Sequence, residues 1–396
     1  METRIMLTSK YVILRQVESR RTRGSTESTT AAARRPISIE VDVLTARQVA
    51  EINGHRDVAA IAPVVPVKLI APVGLTGAAP AGPSGATWGI GAVGAKTSPF
   101  TGEGVTIAVL DTGIDASHPA FSGIDLAQRN FTDESDGDTH GHGTHCAGTI
   151  FGRNVDGERI GVAPGIHTAL VGKVLGRNGG TSDVILAAIE WAIENRAHVI
   201  SMSLGIDFPG LVADLNNQGI PIELATSMAL EGYRANILLF ERLGSLIQAR
   251  SSFTGPCLLV AAAGNESRRD EDPDFVIAAS PPAAADGIIS VAAVGRNSRG
   301  LSIASFSNCG ARISGPGIDI LSARAGGGLT TMSGTSMATP HVAGIAALWA
   351  EKLMKSRQFS QQRFTDRLVG SAVTTDLEPG FNPVDVGNGV VQAPQD

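Results

Sequence analysis

Two periods of apolar residues run along this chain. The segments VTIAVLD, TALVGKVL, HVISMSL, CLLVAAAG and IISVAAV are nearly continuous apolar runs, as strands covered on both faces require. Between them, SDVILAAIEWAIENRA and ELATSMALEGYRANILLFERLGSLIQA repeat apolar positions every three or four residues, the spacing of a helix with one buried face. Strands alternating with helices predict an α/β domain, a mostly parallel sheet with helices on both faces. The front of the chain differs. KYVILR reads as a short strand, and ISIEVDVL alternates as a half-buried strand does. Thr45 stands where it can cap a short helix, ARQVAEIN. VAAIAPVVPVKLIAP is extended chain punctuated by prolines. ESRRTRGSTESTTAAARRP is polar and reads as a loop over 17–35. The Gly/Pro/Ala stretch VGLTGAAPAGPSGA marks a boundary. The expected division is a small α+β module over 1–71, a linker over 72–85 and a large domain over 86–396.

Charge sharpens that division. Residues 1–71 carry 11 Lys/Arg and 7 Asp/Glu, while the remainder carries 21 and 31, so a module of net +4 precedes a body of net −10. Attraction between the two, or a solvated tail, are both open at this point. The overall net charge of −6 and an aromatic content of 4% argue against nucleic acid, which favours basic, stacking surfaces. No apolar run is long enough to cross a membrane, and METRIMLTSKYVILRQ lacks the features of a secretory signal. A cytoplasmic location is expected, with export not excluded. Cys146, Cys257 and Cys309 are odd in number and widely spaced, as free thiols are.

In parallel sheets, sites form beyond the carboxyl ends of the strands. VTIAVLD ends in Asp111, DTHGHGTHCAGTI supplies histidines, CLLVAAAG leads to Asn265, and TTMSGTSMATPHVAG opens the last long helix with Ser336 near its start. A serine hydroxyl needs a base to take its proton, histidine suits that role near neutral pH, and an acid fixes the histidine's tautomer. An amide such as Asn265, with the Ser336 backbone N–H, can stabilise an oxyanion. Asp, His, Ser is one of the chain orders in which such a triad occurs.

The blocks VLDTGID, GHGTHCAGT and GTSMATPHVAG resemble the signature blocks of the subtilisin-like serine proteases, and ISMSLG and VAAAGNE resemble that family's substrate-strand and oxyanion segments. The resemblance spans residues 86–396 and implies the three-layer subtilisin-like fold and serine endopeptidase activity. It implies Asp111 as the triad acid, His142 as the base, Ser336 as the nucleophile and Asn265 as the oxyanion donor. The substrate would lie extended between edges at Gly179 and Gly180 and at Ser203, Leu204 and Gly205, with Gly264 beside the oxyanion donor. Cys146 resembles the proteinase K-like branch. The front module resembles the family's propeptide, a folding aid and intramolecular inhibitor, with processing expected in the linker. The expected partners are a protein or peptide substrate and the chain's own module, in a monomer without nucleic acid or membrane.

No cofactor is required by this reading. His140, His142 and His145 lack the separated ligand pairs of a zinc site. The acidic loop DESDGD over 133–138 could hold calcium, but a solvated loop is its default reading, and Ala120 stands where relatives place a ligand aspartate. Ser333, Thr335 and Thr339 read as capping or packing residues, and Asp115, His118, His145 and His341 as structural. The stretch 206–256 either shapes the groove entrance or extends a surface helix. Two other functions are open: a peptide-processing acyl transferase (transpeptidase), and a non-catalytic peptide-binding protein on the same fold.

Overall fold

The computed structural model describes residues 8–16, 37–74, 77–78 and 86–396. The 17–35 loop and most of the 72–85 linker therefore lie outside the described residues. In the front segment, strands β1 (Ser9–Gln16), β2 (Ile37–Leu44) and β3 (Val58–Pro63) form an antiparallel sheet with β1 central. Helix α1 (Ala46–Asn53) begins with a capping box, in which the Thr45 and Gln48 side chains each accept from the other's backbone N–H. A fourth strand, β4 (Pro66–Leu69), leaves this sheet and joins the body of the protein.

The body runs β5 (Gly77–Ala78), α2 (Trp88–Ala92), β6 (Thr106–Asp111), β7 (Asp125–Asn130), α3 (His142–Phe151), β8 (Thr168–Lys173), β9 (Gly180–Thr181), α4 (Ser182–Glu194), β10 (Val199–Met202), β11 (Leu204–Ile206), α5 (Phe208–Asn217), α6 (Ile222–Thr254), β12 (Leu258–Ala262), β13 (Ile288–Asn297), β14 (Gly300–Ile303), β15 (Ile313–Pro316), β16 (Ile320–Ala323), β17 (Leu329–Met332), α7 (Thr335–Lys355), α8 (Gln361–Gly370) and α9 (Pro383–Val386). The central sheet is ordered β14-β13-β12-β10-β6-β8-β7, with β15 beside β13. It is parallel except for the β13–β14 hairpin.

Alternation along β6 explains the layers. Ile107 and Val109 face the core shared with α3 and α7, which includes Ile150, Ala338 and Val342. Ala108 and Leu110 face the opposite core, with Ile185 and Ile189 of α4 and Leu239, Phe240 and Leu243 of α6. A strand's period of two sends neighbours to opposite faces, so apolar residues are needed at every position. The result is the three-layer α/β architecture.

The stretch 206–256 becomes α5 and α6. Ala225, Ala229, Gly232 and Asn236 of α6 are buried, at spacings of four, three and four that place them on one helix face. That face receives the front module. Asn236 donates to the Pro63 carbonyl at 2.9 Å, and a Cβ on Gly232 would lie 3.5 Å from both Pro63 and Val65. The small residues let β3 approach the helix closely. Charge also crosses this boundary, because Lys10 Nζ lies 2.6 Å from Asp183 of α4.

Candidate active site

The sheet reverses direction of winding around β6, and its carboxyl end carries Asp111. Asp111 Oδ1 lies 2.7 Å from His142 Nδ1, with both side chains buried. His142 is the first residue of α3. Two further segments, after β10 and β12, bring Ser203 and Asn265 to the same end of the sheet. Ser336 sits in the first turn of α7.

One carboxylate that sequence reading assigned to a solvated loop organises the first pair. Asp138 Oδ1 accepts from Thr112 Oγ1 at 2.9 Å, from His140 N at 3.1 Å and from Gly141 N at 2.8 Å. Its Oδ2 accepts from Thr144 N at 2.8 Å and Thr144 Oγ1 at 2.7 Å. Asp138 thus ties the residue after Asp111 to the start of the helix that carries His142. Burial opposes its charge, but these donors outweigh burial and hold its carboxyl below the ordinary aspartate range.

Pro340 does similar work for the serine. Inside α7 it has no N–H to give the carbonyl four residues back, that of Ser336. The freed carbonyl accepts instead from Ser203 Oγ at 3.3 Å and from the Cys146 thiol at 3.4 Å. The Ser336 segment is thereby tied to the segment that follows β10 and to α3. Burial pushes the Cys146 thiol up, so it remains a neutral donor. All three cysteines are free.

The groove holds the chain's own β4. Leu69 pairs with Leu204 and Lys68 with Gly205 on one side, and Val67 pairs with Gly180 on the other. Ile70 N donates to Ser203 O at 3.3 Å. The next two carbonyls meet the catalytic candidates. Ser336 Oγ donates to Ile70 O at 2.7 Å, and Asn265 Nδ2 donates to Ala71 O at 2.8 Å. Asn265 is itself oriented, since its Oδ1 accepts from Thr335 N at 2.9 Å and Thr335 Oγ1 at 2.8 Å. Pairing lapses at Pro72, which has no N–H, and resumes with Val73 N donating to Ser333 O at 2.7 Å. Beyond it, β5 pairs with β17.

Each sequence-predicted residue therefore has a place. Ser336 and Asn265 bond one stretch of backbone, Gly180, Ser203, Leu204 and Gly205 pair with it, and the Asp111–His142 pair reaches Ser336 through Cys146, whose Sγ lies 3.8 Å from His142 Nδ1 and 3.4 Å from Ser336 O. Gly179 forms the turn before β9, with φ of +82°. Gly264 does not bond the strand. Its N–H donates to Thr335 Oγ1 at 3.3 Å and its carbonyl accepts from Asn308 N at 3.0 Å. Its φ of +120°, and the Asn308 and Glu266 side chains crowding the place a Cβ would take, favour glycine there. Thr335 thus supports Asn265, Ser333 Oγ accepts from Asp319 N at 2.9 Å, and Thr339 Oγ1 donates to Thr335 O at 2.9 Å. Asp115 accepts from Ser117 and Gly326, while the His118 ring meets Gly328 O and Ala120 N.

His145 hydrogen-bonds Ile320 O and His341 hydrogen-bonds Met337 O. Burial pushes His145 down to about 3 and His341 down to about 4, so both stay neutral through the range in which an enzyme works. His142 differs. Burial favours its neutral form too, yet the Asp111 carboxylate outweighs burial and raises it well above the ordinary histidine value. A general base must be neutral, so with His142 in that role activity should fall as pH drops through this raised value. We expect the acid limb of kcat/KM to have its midpoint above 6.5, the ordinary histidine value, when initial rates are measured across pH.

The acidic loop offers its oxygens to protein groups. Lys173 Nζ donates to Ser135 O at 2.9 Å and Gly137 O at 3.2 Å, with Glu134 at 3.6 Å. Asn130 Nδ2 donates to Asp136 at 3.0 Å. Among the described residues, the one group of His, Cys, Asp and Glu close enough to hold an ion is Asp111, His142 and Cys146, whose first two members already bond each other.

The sequence of residues 102–389 matches the subtilase family model. This chain belongs to the subtilase family. It is similar to an intracellular serine protease of Paenibacillus polymyxa, 34% identical over 297 residues that cover 73% of this chain and 79% of the relative. It is 36% identical over 312 residues to a thermostable alkaline protease of Halalkalibacterium halodurans, covering 77% of this chain and 72% of the relative. A major intracellular serine protease of Bacillus subtilis is 32% identical over 302 residues, covering 73% of this chain and 81% of the relative. As a subtilase, the protein is a serine endopeptidase acting on protein or peptide substrates. The narrower resemblance to the proteinase K-like branch is not singled out by these relatives.

Proposed function

We propose that Ser336 is the nucleophile of this endopeptidase, His142 its general base and acid, Asp111 the group that orients His142, and Asn265 with the Ser336 N–H the oxyanion donors. Asn265 and Ser336 both bonding successive carbonyls of a strand seated between Gly180 and Ser203 is the observation that carries this reading. His142 takes the Ser336 hydroxyl proton as the oxygen attacks a peptide carbonyl carbon. The tetrahedral oxyanion is held by Asn265, His142 returns the proton to the departing amine, and water resolves the acyl-enzyme by the same route. Hydrolysis is favoured over acyl transfer to amines, because the relatives named above are all called proteases. Adding an amine nucleophile to a turnover mixture tests this: free carboxylate products are expected, and a majority of aminolysis products would favour a transpeptidase.

The second part of the proposal concerns residues 1–71. They are an intramolecular inhibitor, and the 72–85 linker is the segment cut on activation. Support comes from β4 filling the substrate edge and from the nucleophile's geometry. Ser336 Oγ is bonded to a carbonyl oxygen, not to His142, whose Nε2 makes no hydrogen bond. A hydroxyl proton directed at the Ile70 oxygen is not available to the base, so the strand is bound without being attacked. No metal is required by this chemistry, and the protein works as a monomer. A cytoplasmic site of action is supported by two relatives named as intracellular, and no helix among the described residues is long and apolar enough to cross a membrane.

A further inference from the structure

Lys68 is the charged residue of β4, and two carboxylates converge on it. Its Nζ lies 3.1 Å from Asp207 Oδ1 and 3.4 Å from Glu266 Oε1. Asp207 directly follows β11, the edge that pairs with Lys68, and Glu266 directly follows Asn265. Both belong to the peptidase body, and both are held by partners other than Lys68. Asp207 caps α5, accepting from Gly210 N at 3.2 Å, and Glu266 Oε2 accepts from Asn308 Nδ2 at 2.8 Å. The acidic pair is therefore anchored to the body of the protein as well as to Lys68. Two carboxylates facing one position repel each other unless a cation sits between them. The neighbours of Lys68 along the strand are apolar: Val67 and Ile70 are each 2% exposed.

We propose that Asp207 and Glu266 form a specificity subsite for a lysine or arginine side chain, two residues before the substrate residue that takes the place of Ile70. This rests on the reading that residues 66–71 bind as a substrate strand does. The preferred class of substrate is an extended segment with apolar residues at the places of Val67 and Ile70 and a basic residue at the place of Lys68. Backbone pairing supplies affinity for any extended chain, and the acidic pair adds the discrimination. Because both ion pairs are partly exposed to water, the effect is moderate.

The test uses the full chain and internally quenched peptides of sequence Pro-Val-Xaa-Leu-Ile-Ala-Ser-Gly, with Xaa lysine, norleucine or glutamate. Competition from the chain's own β4 lowers all three rates alike and cancels in their ratio. Lysine should exceed norleucine about 3- to 10-fold in kcat/KM, glutamate should fall below norleucine, and the spread should shrink as salt is raised. In the double variant Asp207→Asn with Glu266→Gln, which keeps the cap and the Asn308 hydrogen bond, the lysine-to-norleucine ratio should approach 1. Equal rates for lysine and norleucine, or a lysine preference unchanged in the double variant, would overturn the subsite while leaving the peptidase intact. Cleavage that survives Ser336→Ala, or no cleavage of any peptide even by the Ile70→Asp chain in which β4 is loosened, would overturn the active-site reading beneath it.

Discussion

Replacing Ser336 by alanine should lower peptide hydrolysis by about 10⁶-fold, the scale of loss that the corresponding change causes in subtilisin, a member of the same family. The expectation follows from geometry. Ser336 is buried, its carbonyl is pinned by Ser203 and Cys146, and its hydroxyl sits against the backbone of a strand lying where a substrate would lie. No neighbouring hydroxyl can take its place. Thr335 is committed to Asn265 and Thr339 to a helix carbonyl. His142→Ala should cost nearly as much alone and little more in combination with Ser336→Ala, because the two act as one unit. Asn265→Ala should cost about 10²–10³ in kcat, again a magnitude taken from subtilisin. Single-turnover rates on one peptide would measure all three, and a Ser336→Ala variant within tenfold of wild type would contradict the assignment.

Loosening the front module should have the opposite sign. Ile70→Asp places a carboxylate at a site 2% exposed and removes burial worth about 1.5–3 kcal/mol. Docking of β4 should weaken by about 10- to 100-fold or more, at 1.4 kcal/mol per tenfold, and peptide hydrolysis by the intact chain should rise accordingly. Gly232→Leu tests the same claim from outside the groove. Its side chain would grow into Pro63 and Val65, already 3.5 Å from an added Cβ, and should push β3 off α6. Both variants should raise activity in trans without changing the pH at which the acid limb falls. Initial rates on a peptide too short to reach α6 would report this, and two variants no faster than wild type would remove the inhibitory role of residues 1–71.

Much of this was legible in the sequence because it depended on local pattern. Continuous apolar runs such as VTIAVLD follow from a strand buried on two faces, and their carboxyl ends located Asp111 and Asn265. Small residues around Ser336 marked a crowded helix start. What was not legible depended on pairings between distant segments. Asp138 sat in an acidic loop whose composition suggests solvent or calcium, and only the fold brings Thr112 and Thr144 onto its two oxygens. The role of 206–256 was equally hidden. Ala225, Ala229, Gly232 and Asn236 lack the bulk that signals a core face, since they make room for another backbone. The register of β4 against β11 is a third case. KLIAP carries no mark of its partner, and the convergence of Asp207 and Glu266 on Lys68 becomes visible only once that register is set.

The central claim is that a single hydroxyl, activated by the Asp111–His142 pair, attacks substrates in the groove that β4 occupies. Labelling with a fluorophosphonate, followed by peptide mapping, tests it most directly. The account predicts label on Ser336, slow in the intact chain, faster in Ile70→Asp and lost in His142→Ala. Label on a different residue, or equal labelling of Ser336 with and without His142, would contradict it.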